Sequence, residues 1–141
     1  MKPSAILKTV AAVLASILAC GCNPVKNTAQ AEKAVVEFHA KLDRGEFKQI
    51  YSEAGTDLKS SATESDFTAL LAAIHRKLGV VKSSEKGGWN MQSFNLQTRL
   101  TMSYQTKFAE GDATETFVFA VSGESAALIG YNINSLALIL K

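Results

Sequence analysis

Cys20 and Cys22 are the two cysteines of this 141-residue chain, separated by one glycine in Ala19-Cys20-Gly21-Cys22. Thiols so placed have few uses. A disulfide between them is disfavoured, because a single intervening residue rarely permits relaxed disulfide geometry. A zinc site needs further thiolate or imidazole ligands at set spacings, and no other cysteine exists to complete a set. Neither use is expected here. The other reactive side chains are sparse. Of the two histidines, His39 stands two residues from Glu37 on a helical stretch, so the pair points to different sides and does not form a joint metal site. His75 flanks the apolar stripe of a later helix. Both are expected to be solvated or helix-end residues. No serine or cysteine has a nominated base partner, as a nucleophile requires, and there is no glycine-rich phosphate loop. The expectation is therefore no catalytic residue, no metal ligand and no cofactor.

The residues before the cysteines have the make-up of a leader. Met1 to Cys22 opens with Lys2 and Lys8, continues through an apolar run from Val10 to Leu18 broken by Ser16, and ends in small residues. A charged start, a short apolar core of about 7–15 residues and a small-residue end are the parts of a secretory leader. Asn23-Pro24 closes the run before the roughly 20 apolar residues that a membrane span requires. Residues 1–22 are read as a signal peptide, 23–28 as a polar tether in which Pro24 discourages helix, and 29–141 as one domain, the size a chain of this length supports.

Composition narrows the partners. The net charge of +2 resides in the leader, and from Cys22 onward thirteen basic side chains face thirteen acidic ones. Such a balance provides no electrostatic footprint for nucleic acid and no polybasic attraction to acidic lipid heads. Protein charge therefore gives no reason for membrane attachment.

Helical periodicity comes first in the domain. Ala31, Val35, Phe38 and Leu42 form one stripe over about 29–43, ended by Gly45. A short second helix, about 46–54, presents Phe47, Ile50, Tyr51 and Ala54, and 59–62 reads as a polar loop. Thr63-Glu64-Ser65-Asp66 is a capping-box pattern before a third helix with Phe67, Leu70, Leu71, Ile74 and Leu78 on one face. After Gly79 the period becomes two. Residues 80–84 suggest a short strand and 85–88 a flexible turn. Leu96, Thr98, Leu100, Met102, Tyr104, Thr106 and Phe108 then alternate with polar residues in a long strand. Residues 114–121 return with Phe117, Phe119 and Val121 on one side, and 126–134 make a further strand. Short turns between alternating strands indicate an antiparallel meander. Leu136 to Leu140 either extends the last strand or packs under a helix, and is expected to be covered. The fold class is α+β, three helices on an antiparallel sheet of three to four strands.

Two resemblances follow. Ile17-Leu18-Ala19 before Cys20, or Ala19-Cys20-Gly21 before Cys22, resembles the lipobox of bacterial lipoproteins, in which the cysteine receives lipid and becomes the first residue; both registers fit. That resemblance implies an exported protein of the cell envelope, lipid-anchored and facing the periplasm or cell surface. The layout of the domain resembles the nuclear-transport-factor-2-like, or cystatin-like, superfamily, in particular an uncharacterised bacterial branch with a domain of unknown function. The residues that carry it are Leu42-Asp43-Arg44-Gly45-Glu46-Phe47, His75-Arg76-Lys77-Leu78-Gly79, Thr114-Glu115-Thr116-Phe117 and Ile129-Gly130-Tyr131-Asn132-Ile133. Where relatives often carry a tryptophan before the last of these, this chain has Ala126-Ala127.

The second resemblance implies three helices on a curved sheet forming a cone, and a pocket inside it. Tyr104, Tyr131, Met102, Phe117 and Phe119 are the residues that would line it. Some members place a tyrosine and an acid there for isomerase chemistry. The nearest acids here are Asp66, which reads as a helix-cap partner, and Glu115, which reads as a strand-surface charge. Trp89, after Gly87-Gly88, is either a contact for a partner protein or folded back on the core edge. The expected function is a non-enzymatic, membrane-anchored envelope lipoprotein that binds a partner protein or a small apolar ligand. The alternatives are a pocket enzyme of isomerase or hydratase type and a plain secreted protein.

Overall fold

The computed structural model describes residues 24–140. The leader, both cysteines and Asn23 lie outside the described residues. In chain order come α1 (Pro24–Asp43), α2 (Phe47–Glu53), α3 (Thr56–Ser61), α4 (Glu64–Leu78), β1 (Val81–Phe94), β2 (Gln97–Phe108), β3 (Gly111–Ser122), β4 (Ser125–Asn134) and α5 (Leu136–Leu140). The architecture is α+β as expected, with five helices among the described residues rather than three, four of them before the sheet.

Helix α1 starts at Pro24 rather than near Ala29, so residues 24–28 are helical. The first turn of a helix tolerates proline, since the missing N–H would have no intrahelical partner there. At the other end the Gly45 N–H donates to the Leu42 carbonyl and the Glu46 N–H to that of Lys41. These paired bonds close the last turn around Gly45, whose φ of 71° suits glycine. Helix α3 replaces the expected loop at 59–62. Its single buried apolar residue, Leu58, leaves no period to read. It is held by the Gly55 N–H bonding to Leu128 O, 2.8 Å away on β4. A Cβ at Gly55 would stand 2.7 Å from the Ile129 side chain, so glycine permits this approach. In α4 the cap is as expected: the Asp66 N–H donates to Thr63 Oγ1 at 3.1 Å, and the Thr63 hydroxyl donates back to the Asp66 carboxylate at 2.8 Å. Phe67, Leu71, Ile74 and Leu78 are buried, while Leu70 lies outside the stripe.

The four strands form one antiparallel sheet in the order β1-β2-β3-β4. β1 is a long strand where a short strand and a turn were expected. Lys86 pairs with Tyr104 and Trp89 with Met102, so Gly87-Gly88 opposes Ser103 alone and makes a bulge, not a turn. A second irregularity lies between Val81 and Ser83. The β1–β2 connection is Asn95-Leu96, with φ of 48° and 63°, the pair of left-handed residues that a two-residue type I′ hairpin requires. Leu96 is therefore a turn residue and not the start of β2. In β4, Ile129 is an extra residue between the pairs Val118–Gly130 and Phe119–Leu128. That bulge buries Leu128 and Ile129 side by side and returns Tyr131 to the helix-facing side.

Leu100, Met102, Tyr104, Thr106 and Phe108 of β2 and Ala113, Glu115, Phe117, Phe119 and Val121 of β3 face the helices and are buried. They meet Val35, Phe38 and Leu42 of α1 and Leu71, Ile74 and Leu78 of α4 in one core. The tail differs from expectation. It is a helical turn packed on α4 and β3 through Ala137 and Leu138, with the Leu138 carbonyl accepting from Lys77 Nζ at 2.7 Å. Leu136, Ile139 and Leu140 stay exposed instead of covered.

Candidate functional site

The alternation of β3 places a carboxyl group in the middle of the apolar interior. Glu115 lies two residues from Phe117 on the same face and is fully buried, which corrects the reading of a strand-surface charge. Burying such a group is costly unless hydrogen bonds replace its water. Three side chains from three elements do so. Thr106 on β2 donates its hydroxyl to Glu115 Oε2 at 2.5 Å. His39 Nε2 on α1 lies 2.7 Å from the same oxygen. Tyr131 on β4 donates to Oε1 at 2.7 Å. A carboxylate only accepts, so the imidazole hydrogen sits on Nε2. Thr106 has one hydroxyl hydrogen, already given to Glu115, so Ser84, 2.9 Å from Thr106 Oγ1, donates to it and extends the chain to β1. All four strands and α1 are thereby joined at one group. His39 is buried too, not solvated as expected: it is on the core side of α1, four residues after Val35 and three before Leu42.

The surroundings keep both inward tyrosines protonated. Burial, then the charge of Glu115 and the hydrogen bond to it, raise the Tyr131 pKa well above its ordinary value. Tyr104 is pushed up to about 12, chiefly by burial and secondarily by Glu32. Above pH ~10 the tyrosines of the unfolded chain lose protons that the folded chain retains. Raised folded values therefore contribute stability that is complete below pH ~10 and is lost as pH climbs toward the folded values. The urea midpoint is expected to fall steeply above pH ~10. Tyr131→Phe and Tyr104→Phe each flatten that slope, although Tyr131→Phe lowers stability at neutral pH by removing a hydrogen bond.

Around the carboxyl the space is filled. The Phe117 ring lies 5.1 Å from Phe38, 5.2 Å from Tyr131 and 5.8 Å from both Tyr104 and His39, measured between centroids. Of the residues expected to line a pocket, Met102, Tyr104, Phe117 and Phe119 are core and Tyr131 packs against it. Phe119 alone of the five borders a cleft, of about 90 Å³, between α1, α2 and the sheet. Phe38, Ile50, Ala54, Ala126 and Leu128 form its apolar walls, and Glu37, Lys41 and Glu53 its charged lining, with Lys41 bonded to Glu53. Neither Glu115 nor either tyrosine reaches it. An acid, an imidazole and a phenol in contact can share or relay a proton, but here they face one another and not this cleft.

The remaining residues fall elsewhere. Asp66 is a cap partner, as read. His75 is partly buried beside Phe47, its Nδ1 without a hydrogen-bond partner among the described residues. Trp89 is in β1 opposite Met102 and is 49% exposed. No group of three or more His, Cys, Asp or Glu among the described residues could hold a metal ion, and no helix among them is long and apolar enough to cross a membrane.

No curated protein matches the chain. Residues 34–131 match a family described as "Protein of unknown function (DUF4019)". The match starts within α1 and ends at Tyr131, so it spans His39, Thr106, Glu115 and Tyr131. It covers well over half of the sequence, and the chain belongs to this family.

Proposed function

We propose that this chain is an exported bacterial lipoprotein. Its lipid-bearing cysteine, Cys20 or Cys22, anchors one nuclear-transport-factor-2-like (cystatin-like) domain at a membrane of the cell envelope. There it binds a partner protein or a small apolar ligand and catalyses no reaction. The observation that carries the non-catalytic reading is the sealing of Glu115. Its bonds run to Thr106, His39 and Tyr131, and aromatic rings occupy the space where a substrate would sit. The cleft walled by Phe38, Phe119 and Leu128 supports the apolar-ligand part of the proposal; its volume suits a few heavy atoms only. The order of helices and then an antiparallel sheet supports the superfamily assignment.

A second reading, a proton-transfer enzyme of isomerase or hydratase type, is favoured by the contact of Glu115 with Tyr131 and His39. It requires the aromatic filling to open, since catalytic acids need direct reach to the proton that they move.

Mass spectrometry of the processed N-terminus tests the anchor. The expected result is a diacylglyceryl- and acyl-modified cysteine at position 20 or 22, and membrane retention that Cys→Ser at that position abolishes. An unmodified terminus at another residue would make the protein a plain secreted one.

A further inference from the structure

We infer that the tip of the β1–β2 hairpin is a second membrane contact, dipping into the headgroup layer beside the lipid anchor. This inference rests on the lipoprotein reading above.

Three observations carry it. The first is composition. From Trp89 to Thr98 ten consecutive residues, Trp-Asn-Met-Gln-Ser-Phe-Asn-Leu-Gln-Thr, bear no charge, in a chain of which 20% is charged. The charges that flank this run are already paired, Lys86 with Glu32 at 2.5 Å and Arg99 with Asp57 at 2.6 Å. An uncharged tip with apolar and aromatic side chains enters the interfacial layer without the penalty that a charged side chain meets below the headgroups.

The second is exposure combined with backbone strain. Phe94 is 78% exposed and Leu96 is 108% exposed. Leu96 also holds φ of 63°, a conformation that disfavours a side-chain-bearing residue and that asparagine or glycine fills more easily. A leucine set in a left-handed turn and pointed at water serves neither the turn nor the core. An apolar solvent at the tip accounts for it.

The third is position. The Lys26–Glu124 contact, 2.7 Å, shows that the start of α1 lies beside the β3–β4 turn. The pairing of Thr98 with Val121 makes that turn level with the β1–β2 tip. Pro24, two residues after Cys22, therefore lies at the same end of the domain as Phe94 and Leu96. The other exposed apolar cluster, Leu136, Ile139 and Leu140, follows β4 at the opposite end, a strand length away. A lipid on Cys20 or Cys22 turns the hairpin end toward the bilayer and α5 away from it.

Because insertion is apolar, it does not depend on acidic lipid or low salt. Trp89, the sole tryptophan, stands five residues behind Phe94, so it marks the shallow boundary of the inserted part.

The test uses the mature, lipidated protein in phosphatidylcholine vesicles with brominated lipids. One form carries the native Trp89; another carries Trp89→Phe with Phe94→Trp, which moves the reporter to the tip. Phe94 is outside the core, so this exchange leaves the fold intact, and a thermal melt checks that. The expected result is at least twofold quenching of the tip reporter by lipid brominated near the headgroup. Trp89 is quenched less, and Leu96→Asp abolishes quenching at the tip while the protein still floats with vesicles. Quenching is unchanged by raised salt. If the protein floats with vesicles but the tip reporter remains as accessible to aqueous iodide as in buffer, the hairpin contact is overturned and the anchor stands. If the protein does not float, both fall. Shielding of the tip in native membranes but not in pure lipid would assign it to a protein partner and also overturn the inference.

Discussion

Glu115→Ala is expected to lower the free energy of unfolding by about 3–5 kcal/mol, the cost of breaking a buried polar cluster by removing its centre. The substitution leaves the Thr106 hydroxyl, the Tyr131 hydroxyl and His39 Nε2 without the oxygens that they contact. Each orphaned buried donor incurs an uncompensated desolvation penalty, about 1–3 kcal/mol, and the lost side-chain volume adds a cavity term. Glu115→Gln is milder. Its amide keeps one acceptor oxygen, but the NH2 group must face a former donor. The neighbours adapt: His39 by moving its hydrogen to Nδ1 and accepting on Nε2, and Thr106 by accepting from the amide and turning its own hydrogen to Ser84 Oγ. Urea unfolding of the two variants at neutral pH measures the ranking. A loss below about 1 kcal/mol for Glu115→Ala would mean that water already reaches the group, and would revive the pocket enzyme.

Phe117→Ala carries an effect of similar size, about 3–5 kcal/mol. Phe117 is fully buried, and its ring is the common neighbour of Phe38, His39, Tyr104, Phe119 and Tyr131. Edge-on and tilted contacts at these separations each add to the area term. Removing the ring opens a void beside Glu115 that the strands cannot close, because backbone pairing on both sides fixes their spacing. Phe117→Leu retains most of the volume and is expected to cost under about 1.5 kcal/mol. Calorimetric melting and urea midpoints check both. A Phe117→Ala variant close to wild type would show that the interior has slack, contrary to the filled arrangement.

The helices with strong periodicity and the last three strands were legible because each has one dry face and one wet face. Three features were not, for different reasons. Glu115 was misread from its residue type: counting back by two from Phe119 and Phe117 reaches Glu115 and then Ala113, and the phase of a strand outranks the polarity of one member. His39 is likewise polar by type, yet its spacing from Val35 and Leu42 puts it on the buried stripe of α1. The full length of β1 was hidden because Gly87-Gly88 looks like a turn, and because the strand is exposed on most of both sides, so no alternation survives. α3 has one buried apolar residue, and a period needs at least two. The hub joins positions 39, 84, 106, 115 and 131, and only the register of four strands against α1 brings them together. No local window contains that information.

The irregularities of β1 have one more consequence. This strand forms one margin of the sheet, and its outer row of backbone amides and carbonyls faces no other strand among the described residues. A uniform margin of this length would template fibril growth by a second chain. Here the hydrogen-bonding rhythm breaks twice between Val81 and Trp89, and Lys82 and Lys86 add charge along the same stretch. An incoming strand falls out of step within a few residues, which guards against fibrils at high local concentration.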